Sequence, residues 1–270
     1  VTTSRPVALV TGANSGLGKF AARGLIDAGF QVVGTSRNAA GLDGGQCLTI
    51  LGLDVTSDES VAAVVEAVIS AFGQIDVLVN NAGMGLAGAS EENSIAQTQK
   101  LFDINVFGVI RMTNAVLPHM RKQGSGRIIN ISSTIGLMPA PYMAAYSATK
   151  YAVEGYSESV DHEVRDHNIR VLLVEPGGTR TGFDDNTAQP DNALAAYERQ
   201  RERSNQAVAE QVNNGDDSVV VAKVIVAAAT DSAPKVRYPA GSARQLSAMR
   251  RFAPRRIFDK QLRKSLGVQG

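Results

Sequence analysis

The chain has 270 residues, enough to bury one substantial core. Its 44% hydrophobic and 20% charged residues are those of a globular protein, and a formal charge of +1 gives no global reason to expect nucleic acid. One cysteine, Cys47, excludes an internal disulfide and argues against a cysteine-based metal site. The opening residues lack the layout of a signal peptide, and no apolar run reaches the roughly 18 residues of a membrane span. A soluble cytoplasmic protein is expected, with no role for a metal.

In chain order, "PVALVTG" reads as a short buried strand, followed by a helix from Gly16 to Ala28 that Gly29 stops. "FQVVGTS" is a second strand and "CLTILGLDV" a third. Thr56 with Glu59 predicts a capping box. Val61, Val64, Val65, Val68, Ile69 and Phe72 then recur at helical spacing before Gly73. "IDVLVNNAG" predicts a strand, Ser94 to Lys122 a long helix, and "RIINISS" a fifth strand. Ala144 to about His167 predicts a helix, and "IRVLLVEPG" a sixth strand. Near-continuous Val, Ile and Leu strands, each followed by a helix, predict an α/β doubly wound parallel sheet with helices on both faces.

Past Pro176 the alternation stops. Residues 181–235 are rich in helix formers and hold no convincing strand before "VRYPAG" offers a seventh. This excursion is expected to lie over the carboxyl ends of the strands, where open α/β sheets bind ligands, as a helical lid on a single domain spanning 1–270. The tail, 244–270, carries uneven charge: Arg244 to Lys264 contain eight Lys or Arg and one acid, Asp259. A solvated helix or a subunit contact is expected there, an anionic membrane surface being the weaker alternative.

"TGANSGLG" (Thr11–Gly18) stands between the first strand and the first helix. Glycines in that place let a backbone approach a pyrophosphate, and the helix N-terminus adds amide donors and a favourable dipole. It is not a Walker A loop, because Phe20 follows Lys19 where a magnesium-binding Ser or Thr is needed. The second strand ends "GTSRN", with Ser36 and Arg37 in place of the acid that selects NAD. A guanidinium and a hydroxyl suit a 2′-phosphate, so NADP(H) is the preferred cofactor and NAD(H) the second choice.

Taken together, the chain resembles the short-chain dehydrogenase/reductase family, in its subgroup with one Rossmann-type domain. The resemblance rests on "TGANSGLG", "DV" at Asp54 and Val55, "NNAG" at Asn80–Gly83, "NVFG" from Asn105, "ISS" ending at Ser133, "YSATK" at Tyr146–Lys150 and "PGGTRT" at Pro176–Thr181. It implies a cofactor turn at Gly12, Asn14, Ser15, Gly16, Leu17 and Gly18. Asp54 and Val55 are implied at the adenine, and Asn81, Ala82 and Gly83 at the adenosine ribose. Pro176, Gly177, Gly178 and Thr179, with Thr181 beyond them, are implied at the nicotinamide end.

The resemblance also implies that Tyr146 is the general acid/base, that Lys150 lowers its pKa and holds the nicotinamide ribose, that Ser133 orients the substrate oxygen, and that Asn105 supports a proton relay. The chemistry of a Tyr and a Lys four residues apart on a helix agrees. A phenol titrating at roughly 10 exchanges protons poorly at neutral pH, and a nearby cation stabilises the phenolate. Of Ser132 and Ser133, which face opposite sides of a strand, Ser133 is chosen.

Segments beside these residues are mainly apolar: Met84 and Leu86, then Leu137, Met138 and Met143, then Phe183. An apolar carbonyl or alcohol is the expected small-molecule substrate, and hydroxysteroid-type members of the family are the nearest analogy. Arg180 faces either an anionic substrate group or a lid carboxylate such as Asp184. Two other classes use this fold, a dinucleotide-sensing protein without turnover and a nucleotide-sugar epimerase or dehydratase. The first usually lacks the Tyr–Lys pair, and the second is longer with another glycine spacing. The resemblance further implies a homodimer or homotetramer formed through the helices after "NNAG" and around "YSATK".

Overall fold

The computed structural model describes residues 5–40 and 48–245, with 256, 257, 259, 260 and 263 of the tail. Cys47 and most of the basic segment lie outside the described residues. One seven-stranded sheet organises the chain: β1 (Val7–Val10), β2 (Gln31–Ser36), β3 (Leu48–Gly52), β4 (Val77–Asn80), β5 (Gly126–Ile131), β6 (Ile169–Pro176) and β7 (Arg237–Ala240). Their order is β3-β2-β1-β4-β5-β6-β7, and every neighbouring pair is parallel. The helices are α1 (Gly16–Asp27), α2 (Asp58–Phe72), α3 (Ile95–Phe102), α4 (Gly108–Gln123), α5 (Ala144–Val164), α6 (Glu198–Asn213) and α7 (Ser218–Thr230).

Continuous apolar strands need cover on both faces, and they have it. Leu25 of α1 and Val221 and Ile225 of α7 pack on Val10, Val32 and Val79. Val64 of α2, Met112 of α4 and Val160 of α5 pack on Leu9, Leu78 and Ile128 across the sheet. Strand order reverses between β1 and β4, so the first crossover helix and the second half of the fold diverge there and leave a crevice at the carboxyl ends.

Three local expectations change. Helix α2 is capped by Ser57, whose Oγ accepts from Ser60 N at 3.1 Å and donates to Glu59 at 2.9 Å. Thr56 is drawn instead to Asp54, donating to its Oδ1 from N and Oγ1 at 2.9 and 2.7 Å. The single helix expected over 94–122 is broken by one π-helical turn, Asp103–Phe107, between α3 and α4. Such turns occur where a side chain is needed out of the regular helical register, and here Asn105 is buried inside it.

The stretch expected as a lid, 181–235, does not lie over the crevice as a whole. Helix α7 belongs to the sheet, packed beside α1, because Val221, Ala222, Ile225 and Ala228 form one apolar face. What stands over the crevice is the stretch from Thr181 to the end of α6. It contains a two-residue strand, Thr187–Ala188, paired with Gly85–Leu86. Behind it the fully buried Glu92 accepts from Leu194 N at 2.9 Å and from Ala89 N at 2.8 Å, and pairs with Arg201 of α6. Asp191 accepts from Ser94 N at 2.9 Å at the start of α3. The stretch over the crevice is thus tied to the segment that follows β4.

Candidate active site

A cavity of about 1330 Å³ fills the crevice. That exceeds the roughly 300–1,000 Å³ of an ordinary small-molecule pocket, so a dinucleotide and a second molecule fit together. Its first wall is the β1–α1 turn, where Gly12, Asn14, Ser15, Gly16 and Leu17 line the space. Gly12 has φ +66°, a conformation that favours glycine. Gly18 does not line the cavity. A Cβ there would stand 2.2 Å from Gly12 O and 2.5 Å from Asn81 Nδ2, so glycine lets α1 close onto the strand end. Ser15 precedes α1 without a side-chain capping bond, and no acid occupies the first turn. The first N–H groups and the positive end of the helix dipole therefore remain for a phosphate, and the turn fits a dinucleotide.

The end of β4 is bonded to that turn. Asn81 Nδ2 donates to Thr11 O at 2.9 Å and to Gly12 O at 3.1 Å, and Thr11 Oγ1 accepts from Asn81 N and Ala82 N at 2.9 Å each. Asn81, Ala82, Gly83 and Met84 line the cavity beside it. Thr11 has no place in the sequence-based site. Its signal is only that one hydroxyl stands at the end of β1 facing "NNAG". At the far end lie Ser36, Arg37, Asp54 and Val55. Two hydrogen bonds from Thr56, and then the nearby Arg37 guanidinium, hold the Asp54 carboxyl below its usual range.

The opposite wall brings together Ser133, Tyr146 and Lys150, with Pro176, Gly177, Gly178, Thr179 and Thr181 next to them. Ser133 begins a short 3₁₀ turn, its Oγ accepting from Ile135 N at 3.2 Å, while the Ser132 hydroxyl is sealed from solvent. Lys150 Nζ donates to Ile131 O at 2.9 Å and stands 5.7 Å from the centroid of the Tyr146 ring. Burial pushes Lys150 down to about 8. It pushes the Tyr146 phenol well above its usual value, opposite to the direction expected from the Tyr–Lys pair alone. The ammonium points to a backbone carbonyl, so desolvation of the phenol outweighs the attraction of the charge. Asn105 is not at the cavity surface but behind it, bonded to the backbone of Met84.

Met138, Met143 and Phe183 line the substrate end, the Phe183 ring 5.7 Å from that of Tyr146. Two expected substrate residues do not reach the cavity lining. Leu86 is 1% exposed and points into a core with Leu101 and Met143, because its strand pairs with the lid. Leu137 ends the 3₁₀ turn, half-buried, and the next residue takes its place. Helix α6 contributes Ser204, Asn205, Val208, Ala209 and Val212, which no local motif announces. Arg180 is occupied by Gly215 O at 2.8 Å and by Asp217 at 3.5 Å, so its carboxylate partner is at the start of α7.

The family model for short chain dehydrogenases matches residues 6–192. The chain belongs to the short-chain dehydrogenase family. Curated relatives in it include 3-ketodihydrosphingosine reductase of Bacteroides thetaiotaomicron, 48% identical over 180 residues. Human retinol dehydrogenase 8 is 43% identical over 188 residues. These matches span 67% and 65% of this chain, but 66% and 60% of the relatives' own lengths. The structure of a short-chain dehydrogenase from Streptomyces avermitilis superposes with a TM-score of 0.86, at 34% identity and full coverage of both chains. Two short-chain dehydrogenase folds at 26% identity carry cofactor. A 3-ketoacyl-(acyl-carrier-protein) reductase from Brucella melitensis holds NADH (TM-score 0.76, 88% and 98% covered), and ElxO holds NADP (0.73, 87% and 96%).

Proposed function

We propose that this short-chain dehydrogenase interconverts a ketone or aldehyde and its alcohol with NADP(H), on a substrate with a large apolar body. The observation that carries the reading is the convergence of Ser133, Tyr146 and Lys150 on one wall of a cavity whose other wall is a free helix N-terminus. A bound nicotinamide supplies or accepts the hydride. Ser133 Oγ donates to the carbonyl oxygen and fixes its position. In the reducing direction Tyr146 gives its phenolic proton to that oxygen, a role that contributes about 10²–10⁴-fold. The Lys150 ammonium favours the phenolate left behind, and the positive charge of the oxidised cofactor adds to it. Asn105 holds Met84 and the π turn beneath the site.

Ser36 and Arg37 at the end of β2 support the choice of NADP(H), since a cation and a hydroxyl suit a 2′-phosphate where an acid would repel it. Met138, Met143 and Phe183, joined by Val208 and Val212, support an apolar substrate. Relatives named for 3-ketodihydrosphingosine and for retinol, both lipids, point the same way. NADPH oxidation over ketones graded in size and polarity tests the reading. Turnover rising with apolar bulk is expected. Turnover confined to small polar ketones or sugars contradicts the substrate class. We also propose a homodimer or homotetramer through α4 and α5, where Phe107 at the entry to α4 and Tyr151 on α5 are exposed. Light scattering showing a monomer contradicts that.

A further inference from the structure

Beneath the Ser133–Tyr146–Lys150 wall lies a second set of charges that the proposed reaction does not use. Glu154, four residues beyond Lys150 on α5, is 4% exposed, and Glu175, which immediately precedes Pro176, is 1% exposed. Both pair with Nη1 of Arg237 on β7, whose Nη2 reaches the exposed Glu158 at 3.0 Å. The remaining Glu154 oxygen, Oε1, and the buried Ser132 hydroxyl have no hydrogen-bond partner among the described residues other than one another. The two face one another across Gly136, where an added Cβ would lie 2.8 Å from Ser132 Oγ and 3.3 Å from Glu154 Oε1. Ser132 is itself placed between Ile131, whose carbonyl receives the Lys150 ammonium, and Ser133.

We propose that Glu154 is a positioning residue for Lys150 and Ser133: its carboxyl, lodged between Arg237 and Ser132, supplies the negative charge that keeps Lys150 an ammonium and braces the strand end that presents Ser133. The proposal rests on the roles given above to those two residues. The groups around Glu154 are Lys150 and Glu158 from α5, Arg237 from β7, Glu175 from β6 and Ser132 from the end of β5. Burial pushes Glu154 up to about 7, with Ser132 and Arg237 opposing it. Burial pushes Lys150 down to about 8, with Glu154 opposing it. While Glu154 is ionised against Arg237, its charge favours the protonated form of Lys150. Without the carboxylate the lysine turns neutral at lower pH and no longer stabilises the Tyr146 phenolate.

The test reads Lys150 directly. Acetic anhydride modifies an amine only when it is neutral, so peptide mass spectrometry of Lys150 labelling against pH gives its titration. The wild type is expected to show a midpoint near 8, E154Q a midpoint lower by about one unit, and E154D, which keeps the charge, a midpoint back near that of the wild type. NADPH fluorescence reports that each variant is folded. An unchanged midpoint in E154Q, or a midpoint in E154D as low as in E154Q, overturns the proposal. A structural role alone would not move this titration. With a ketone that turns over, the alkaline limb of kcat moves down in E154Q by the same amount. Failure to find such a ketone would count against the proposed reaction and leave the labelling result to stand or fall by itself.

Discussion

Asn105 pairs edge to edge with the backbone of Met84: its Nδ2 donates to Met84 O at 2.9 Å, and its Oδ1 accepts from Met84 N at 2.9 Å. The same Nδ2 lies 3.3 Å from Thr149 Oγ1 on α5. A side chain here completes a ladder that backbone would complete in a sheet, and it joins the π turn, the segment after β4 and the Tyr146 helix. Asn105→Ala leaves two part-buried backbone groups of Met84 without their partner, at up to about 1–3 kcal/mol each. In a chain this long that lowers the melting temperature by several degrees, and NADPH turnover falls with it. Thermal unfolding with the same midpoint as the wild type would show that the pairing is dispensable.

Arg37 stands at the rim of the adenosine end, with Asp54 already carrying a carboxylate below its usual pKa nearby. Arg37→Asp places a second negative charge where a 2′-phosphate is proposed to sit. The preference for NADPH over NADH is expected to fall by about tenfold or more, since each tenfold needs only about 1.4 kcal/mol. Fluorescence titration with both cofactors measures it. Unaltered preference would remove Arg37 from the phosphate site.

Glu92 is fully buried and is the anchor of the lid, joining Ala89 N, Leu194 N and Arg201. Glu92→Ala removes one half of a buried pair, a change that costs about 3–5 kcal/mol in such settings. Because Leu194 and Arg201 belong to the stretch over the crevice, the loss is expected to appear as faster amide exchange over residues 187–213. KM is expected to rise more than kcat falls. Equal exchange in lid and sheet would mean that Glu92 stabilises the whole chain and not the lid.

The sheet and the cofactor turn were legible from the sequence because they follow from short-range pattern. Val and Ile runs read as strands, and Gly12 to Gly18 sit at a strand–helix junction whatever lies beyond. Leu86 is expected at the substrate because it follows "NNAG", yet its strand pairs with Thr187–Ala188, a contact made across about a hundred residues. Ser204, Asn205 and Val208 reach the cavity only because Glu92 and Asp191 hold the lid down. The apolar face of α7 looked like lid and is core, since composition does not say which surface a helix covers. The Glu154–Arg237–Glu175 cluster joins residues from three elements and has no spacing to read. Even the direction of the Tyr146 shift needed burial, which spacing cannot supply.

The central claim is that Tyr146 moves the proton. Single-turnover NADPH oxidation by Tyr146→Phe, with a ketone that the wild type reduces and with NADPH affinity measured alongside, tests it most directly. The account predicts unchanged folding and cofactor binding, with a rate at least about a hundredfold lower. A variant that binds NADPH and turns over within a few-fold of the wild type would contradict it.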